Sequence, residues 1–163
     1  MLAHSIKLAL FLGVSAMPAF AQNADHIAKV QNGQSCAECN LFQADLTYKD
    51  AEKIDLSGAR LRQSSLALTT FDDVNFSGAN LSVSNLYGAR FNRSDFRQAN
   101  LQNVVAVGAY FGASNLNGAD LSGANLSGAD LSLAIELTQT QLNQACGDSS
   151  TRLPNGKTIP SCV

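Results

Sequence analysis

Apolar residues recur at every fifth position from Leu41 to Leu131 without a slip of phase. All nineteen of these positions hold Leu or Phe except Ala51 and Ala106. Two residues before most of them the side chain is small, as at Ala44, Ser64, Ala79, Ser94 and Ala124. The positions between are mostly Asn, Ser, Asp, Arg or Gln. A period of five fits neither the 3.6 of an α-helix nor the 2 of a half-buried strand. It predicts an all-β solenoid, in which each unit buries its apolar residue only by stacking on the next coil.

The phenylalanines set the size of the coil. Phe71, Phe91 and Phe111 are twenty residues apart, and so are Phe76 and Phe96. Four units per coil turn these into two aromatic columns on adjacent faces, with leucines lining the other two. Nineteen units then make about 4.75 coils. At ~4.8 Å per hydrogen-bonded rung, the column stands roughly 23 Å tall. Gly58, Gly78, Gly88, Gly108, Gly118, Gly123 and Gly128 each follow a central Leu, Phe or Ala by two residues. There a four-sided coil must turn, and glycine readily takes the φ > 0 that a type II turn requires.

The units "GADLS", "GANLS" and "RQANL" resemble the A(D/N)LXX pattern of the pentapeptide-repeat family. The resemblance runs from about Cys39 to Ile135, roughly 60% of the chain. It implies a right-handed quadrilateral parallel β-helix. One stretch departs from the pattern: in "YKDAEKI", Lys49 takes a small inward position, Ala51 a central one, and Ile54 is oversized. A loosened or bulged first coil is expected there.

Exposed strand edges at the top and bottom of a solenoid recruit other chains, so caps are expected. Residues 22–38 form the N-terminal one, where Ile27 and Val30 give a short amphipathic turn or helix that can lie over the first coil. The repeat column occupies residues 39–137. Over residues 138–163, Thr138 is placed to cap a helix running "QTQLNQAC" with Gly147 as its stop. An extended tail with an Asn155-Gly156 turn follows.

The first 21 residues stand apart from this organisation. Lys7 precedes an apolar run from Leu8 to about Met17, and Ala19-Phe20-Ala21 places small residues where signal peptidase reads them. The run is about half the ~20 residues that span a bilayer. No Cys follows it directly, which disfavours a lipid anchor. Cleavage after Ala21 is therefore expected, giving an exported chain, periplasmic or secreted, with no membrane span left. The net charge of −2 falls to about −3 once Lys7 leaves. That is too mild to imply a nucleic-acid partner.

All four cysteines survive cleavage, and an even count in an exported chain favours disulfides. Cys36 and Cys39 sit at the base of the column and Cys146 and Cys162 at its top, some 20 Å away on the ~4.8 Å rung spacing. A disulfide needs Cα atoms within about 7 Å. Only Cys36–Cys39 and Cys146–Cys162 fit a folded monomer, and one four-cysteine zinc site does not. "CAEC" also matches the dithiol of thiol-disulfide enzymes. Both cysteines fall on inward register positions, however, which reads as a structural clip; redox catalysis and metal binding are the alternatives.

Little else in the chain carries chemistry. His26 is the only histidine beyond the leader, no Gly-x-x-x-x-Gly-Lys-Ser/Thr phosphate loop occurs (Gly156-Lys157-Thr158 has Thr151 where the first glycine would stand), and Asp120, Asn125 and Asp130 face outward singly rather than converging on a calcium ion. No catalytic, cofactor-binding or metal residue is assigned, and neither a cofactor nor a small-molecule substrate is expected. Folding the register around four faces gathers Tyr48, Leu68, Tyr87, Val105 and Val107 on one of them, a candidate surface for a protein partner or self-association. Either terminal segment folding back over it is the competing reading. The next face carries Asp50, Glu52, Asp72 and Asp73, with Arg90 and Arg93 above. The expected role is a non-enzymatic, exported structural or interaction protein. Some members of the family that it resembles look like duplex DNA and bind type II topoisomerases; that alternative needs a cytoplasmic, strongly acidic column.

Overall fold

The computed structural model describes residues 22–163. The leader read over residues 1–21, with its cleavage after Ala21, lies outside the described residues. From Asn40 to Ile135, parallel pairings join each rung to the residue twenty further on. One line runs Asn40, Arg60, Asn80, Asn100, Asp120, and the next Asp45, Ser65, Asn85, Val105, Asn125. Each coil therefore holds four five-residue units. Most rungs are single bridges, because the turns leave few extended residues between them. Backbone bonds tie every unit to both neighbours: the Arg60 N–H donates to the Cys39 carbonyl at 2.8 Å and the Leu61 N–H to Asn80 at 2.7 Å.

The central side chains fill the axis. Every one from Leu41 to Leu131 is buried except Ala51, which is half-buried. Phe76 stacks on Phe96 at 4.9 Å and Phe91 on Phe111 at 5.4 Å, while Phe91 meets Phe96 edge to face at 5.2 Å. Such pairs add about 0.5–1.5 kcal/mol beyond the area that they bury.

The corners are more uniform than the glycines foretold. All nineteen, from Glu38 to Gly128 at five-residue steps, have φ between 54° and 70°. Seven are glycine; the other twelve put a side chain into a conformation that costs L-residues about 1–2 kcal/mol. Two bonds hold the chain there. The N–H three residues past the start of the turn returns to its first carbonyl, as Ala44 does to Leu41 at 3.0 Å. The Asn or Asp before the central residue accepts the N–H two residues on: Thr47 to Asp45, Ser82 to Asn80 and Ser122 to Asp120, each at 3.0 Å. An Asx bond of this kind is why the unit carries Asp or Asn at that place.

On the corner after Phe71 and Phe91 a serine takes over. Ser94 Oγ accepts the Val74 N–H at 3.1 Å and donates to the Phe71 carbonyl at 2.8 Å. Ser114 repeats the arrangement one coil higher with Ser94 N–H and Phe91. Among the described residues no buried side-chain polar atom lacks a partner, as a rigid dry core demands.

The bulge expected at "YKDAEKI" does not form. Residues Asp50–Glu52 make strand β1, paired in register with β2, Thr70–Asp72, so that Ala51 lies opposite Phe71. The segment keeps the twenty-residue step and is drawn out rather than looped. Ile54 is accommodated inside, 5% exposed, and Lys49 stays half-buried.

Helix α1, Ala24–Gln31, closes the base. Asn23 caps it by accepting the His26 N–H at 3.1 Å. Gly33, at φ +68°, ends it in a Schellman motif, with Gln34 N–H on Lys29 and Gly33 N–H on Val30. Val30 is buried, Ile27 packs on the core, and the Gln31 amide donates to the Asp45 carbonyl at 2.9 Å.

At the top the helix is shorter than its sequence promised. Thr138 and Gln141 form a capping box, but α2 spans only Gln139–Leu142. Cys146 instead returns to the column and pairs with Asn125, and Arg152 pairs with Asp130. The tail thus adds a partial coil at steps of 21 and 22. Gly147 is no helix stop: it bridges Ser161, and a Cβ there would stand 2.7 Å from Thr151 Oγ1 and 3.0 Å from Ile159 Cγ2.

Candidate functional site

The apolar face is built from successive rungs of the line Asp45, Ser65, Asn85, Val105. Tyr48 and Leu68 sit on its positive-φ corners, and Tyr87 and Val107 one residue past the core positions. Tyr48 is 72% exposed and Tyr87 52%; Leu68 and Val105 are exposed, and Val107 is half-buried. Neither terminal cap, as described, covers this face. Leu68 lies flat over Gly88, its Cδ2 2.7 Å from where a Cβ would stand. The glycine corner makes room for the leucine of the rung below. The periodicity did not single out Val83, Leu133 or Ile135, which are also exposed, on other faces.

On the charged face the acidic and basic groups are joined rather than divided. Arg93 grips Asp73 through Nε at 2.7 Å and a terminal nitrogen at 2.6 Å. Arg90 Nε reaches Asp72 at 3.2 Å while its guanidinium lies 5.5 Å from the Tyr110 ring centre. The Arg93 hydrogen bonds hold the Asp73 carboxyl below its usual range. These are exposed pairs and contribute little stability each; their effect is to neutralise the wall. A depression of about 440 Å³ on this face is lined by Asp50, Ala51, Glu52, Thr70 and Asp72. Another, of about 580 Å³, is lined by Ser77, Gly78, Arg97, Gln98 and Asn117. Neither holds a nucleophile beside a base.

Asp120, Asn125 and Asp130 do not converge on an ion, and they are more than solvated corners. Asp120 accepts from the Ser122 hydroxyl and N–H and from Gln102; these bonds lower its pKa, the hydroxyl contributing most. A depressed carboxylate contributes stability that is present above its unfolded pKa of ~3.9 and is lost as pH falls through the folded value. Asp120→Asn keeps an oxygen for the Ser122 N–H. The expected result is lower stability than the parent at pH 7, where the charged acceptor is lost, and a smaller loss in urea melts below about pH 4, so that the two converge in acid.

The structure joins Cys36 to Cys39 and Cys146 to Cys162, with Cα separations of 5.4 Å and 4.8 Å. "CAEC" is itself a corner: Glu38 has φ +56° and the Cys39 N–H meets the Cys36 carbonyl at 3.3 Å. Above it sits His26, whose Nδ1 accepts the Asn40 N–H at 3.0 Å. The three side chains' ligand atoms lie within 4.8 Å of one another. Sequence spacing gave no sign of this, because α1 folds over the corner from ten residues away.

The geometry defines a class first: an all-β solenoid whose interior is repetitive and whose variation lies on its walls. The chain belongs to the pentapeptide-repeat family, whose model matches eight copies over residues 54–93, 64–103 and 107–135. No curated protein matches the sequence. Among solved structures, the chain is similar to the pentapeptide repeat protein Rfr23 of the cyanobacterium Cyanothece 51142. The identity is 19% over 79% of this chain and 97% of that one, with a TM-score of 0.44. It is also similar to a pentapeptide repeat protein of the Arabidopsis thaliana thylakoid lumen, at 25% identity over 60% and 68%, TM-score 0.45. A third is full-length QnrB1, a plasmid-mediated fluoroquinolone resistance protein, at 16% identity over 78% and 90%, TM-score 0.35. At these scores the likenesses carry no inference about partners.

Proposed function

We propose that this protein is a non-enzymatic, exported column that presents the Tyr48–Val107 face to a protein partner. In this reading it is a right-handed, four-sided helix of about 4.75 repeat coils, closed by helical caps and stapled at both ends. The observation that carries the proposal is the open apolar stripe: Tyr48 and Tyr87 stand 72% and 52% exposed on a wall held rigid from within. Amphipathic tyrosines of this kind are favoured at protein interfaces. Four rungs at ~4.8 Å and a face ~10 Å wide give on the order of 200 Å² of projected wall. A standard interface needs about 800 Å² per partner. The partner must therefore extend over the corner onto the neighbouring face, where Arg90 and Arg93 are already neutralised.

A topoisomerase-binding DNA mimic is disfavoured by the same geometry, since Asp72 and Asp73 are paired with arginines. A thiol-disulfide enzyme is disfavoured by burial of Cys36 and Cys39 at 5% and 6% exposure. The test is the double variant Tyr87→Ser with Val107→Ser. Cross-linking in cells followed by mass spectrometry is expected to lose the partner, or the self-association, of the parent protein, with an unchanged melting curve. Retained association would remove the function from this face.

A further inference from the structure

We propose that the Cys36–Cys39 corner and His26 form a second state of the protein, a site for a thiophilic divalent cation such as Zn²⁺ that is closed when the disulfide forms. Three donors are already gathered: the ligand atoms of His26, Cys36 and Cys39 lie within 4.8 Å of one another. A tetrahedral zinc with Zn–S of about 2.3 Å and Zn–N of about 2.0–2.1 Å needs its donors roughly 3.3–3.8 Å apart. On reduction the two sulfurs, about 2 Å apart in a disulfide, part by nearly 2 Å, and the widest of the three gaps closes by about 1 Å. The two cysteines flank a tight corner with Cα atoms 5.4 Å apart, the Cys-x-x-Cys spacing that zinc sites use.

The histidine is placed rather than merely near. Asn23 caps α1 on the His26 N–H itself, and the ring lies half-buried with the Nδ1 lone pair directed at the Asn40 amide. That bond fixes the ring over the Cys39–Asn40 backbone, and coordination through Nδ1 exchanges the Asn40 N–H for the metal. With two thiolates and one imidazole, the fourth position falls to water, as in zinc sites that keep an open place.

The interconversion balances. A dithiol reductant passes two electrons to the Cys36–Cys39 bond, leaving two thiols and its own cyclic disulfide. The cation then displaces the two thiol protons, which pass to solvent, and takes the His26 Nδ1 lone pair, releasing the Asn40 N–H to water. Re-oxidation by a disulfide donor expels the metal. In an oxidising compartment the disulfide form prevails, so the metal-loaded form marks a chain that has met a dithiol or has not yet been oxidised.

The probe is Co²⁺ added to the full mature chain, reduced anaerobically, followed by the thiolate-to-cobalt absorption band and by iodoacetamide alkylation read at peptide level. One equivalent is expected to bind, shielding Cys36 and Cys39 while Cys146 and Cys162 are alkylated. His26→Ala is expected to weaken binding at least about tenfold. If that variant does not fold in its oxidised form, His26→Gln, which keeps an acceptor for Asn40 but is a poor zinc ligand, takes its place. No uptake by the reduced chain, equal shielding of both cysteine pairs, or undiminished binding without His26 would each overturn the proposal.

Discussion

Phe96→Ala is expected to destabilise the column by about 3–5 kcal/mol, the loss seen when a large aromatic leaves a cavity in a packed core. Phe96 is fully buried and touches three rings: Phe76 at 4.9 Å, Phe91 at 5.2 Å and Phe111 at 5.7 Å. Each coil of a solenoid packs only on its neighbours, so nothing else can move in to fill the space. Against a total stability of typically 5–15 kcal/mol, the cavity should split the cooperative unfolding of the chain. Urea denaturation followed by circular dichroism is the check. Phe96→Leu, which keeps most of the volume and matches the leucine columns, should retain the larger part of the midpoint. If Ala is tolerated as well as Leu, the aromatic ladder does not hold the coils together.

Cys146→Ser should have the next largest effect. The Cys146–Cys162 bond closes a sequence separation of 16, and a loop of that size contributes roughly 3 kcal/mol in the chain-entropy picture. Its loss also frees an edge. Leu126 and Leu131 donate their N–H groups to Cys146 and Arg152 of the tail at 2.8 Å each. With the tail unpinned, those donors face solvent and can pair with another chain. The expected outcome is faster amide exchange at Leu126 and Leu131 and concentration-dependent association in ultracentrifugation. A variant that stays monomeric and protected would show that ladder bonds alone hold the tail.

The core was open to reading in the sequence because a five-residue period repeated over nineteen units leaves a single stacking solution. Phe71, Phe91 and Phe111 even counted the sides of the coil. The corners were half-visible: glycine marks seven of them, whereas Gln43, Val83 and Asn103 reach the same φ because the Asx and turn bonds hold them there. That information lies in Asn40, Asn80 and Asn100, one residue before each core position, and each looks like an ordinary solvent-facing amide until the bond is seen. The ends were least legible, because there the period stops and tertiary pairing decides. Cys146 leaves the helical pattern to join Asn125, and His26 reaches Cys36 and Cys39 only through the docking of α1.

Residues such as Tyr48 and Tyr87 were visible as a stripe once the register was folded into four faces. What such a stripe would bind was not, since a wall of five side chains records shape and polarity but names no ligand. The neutral character of the adjoining face was hidden too. Asp73 and Arg93 are twenty residues apart in the chain and one rung apart in the column.

The most direct test of an exported, doubly stapled column is mass spectrometry, intact and at peptide level, of the non-reduced protein recovered from cells. A chain beginning at Gln22 with Cys36 linked to Cys39 and Cys146 to Cys162 is the predicted result. It would direct the search for partners to the cell envelope and beyond. A chain beginning at Met1 with four free thiols would contradict export and both staples, and would return the cytoplasmic, topoisomerase-binding reading to consideration.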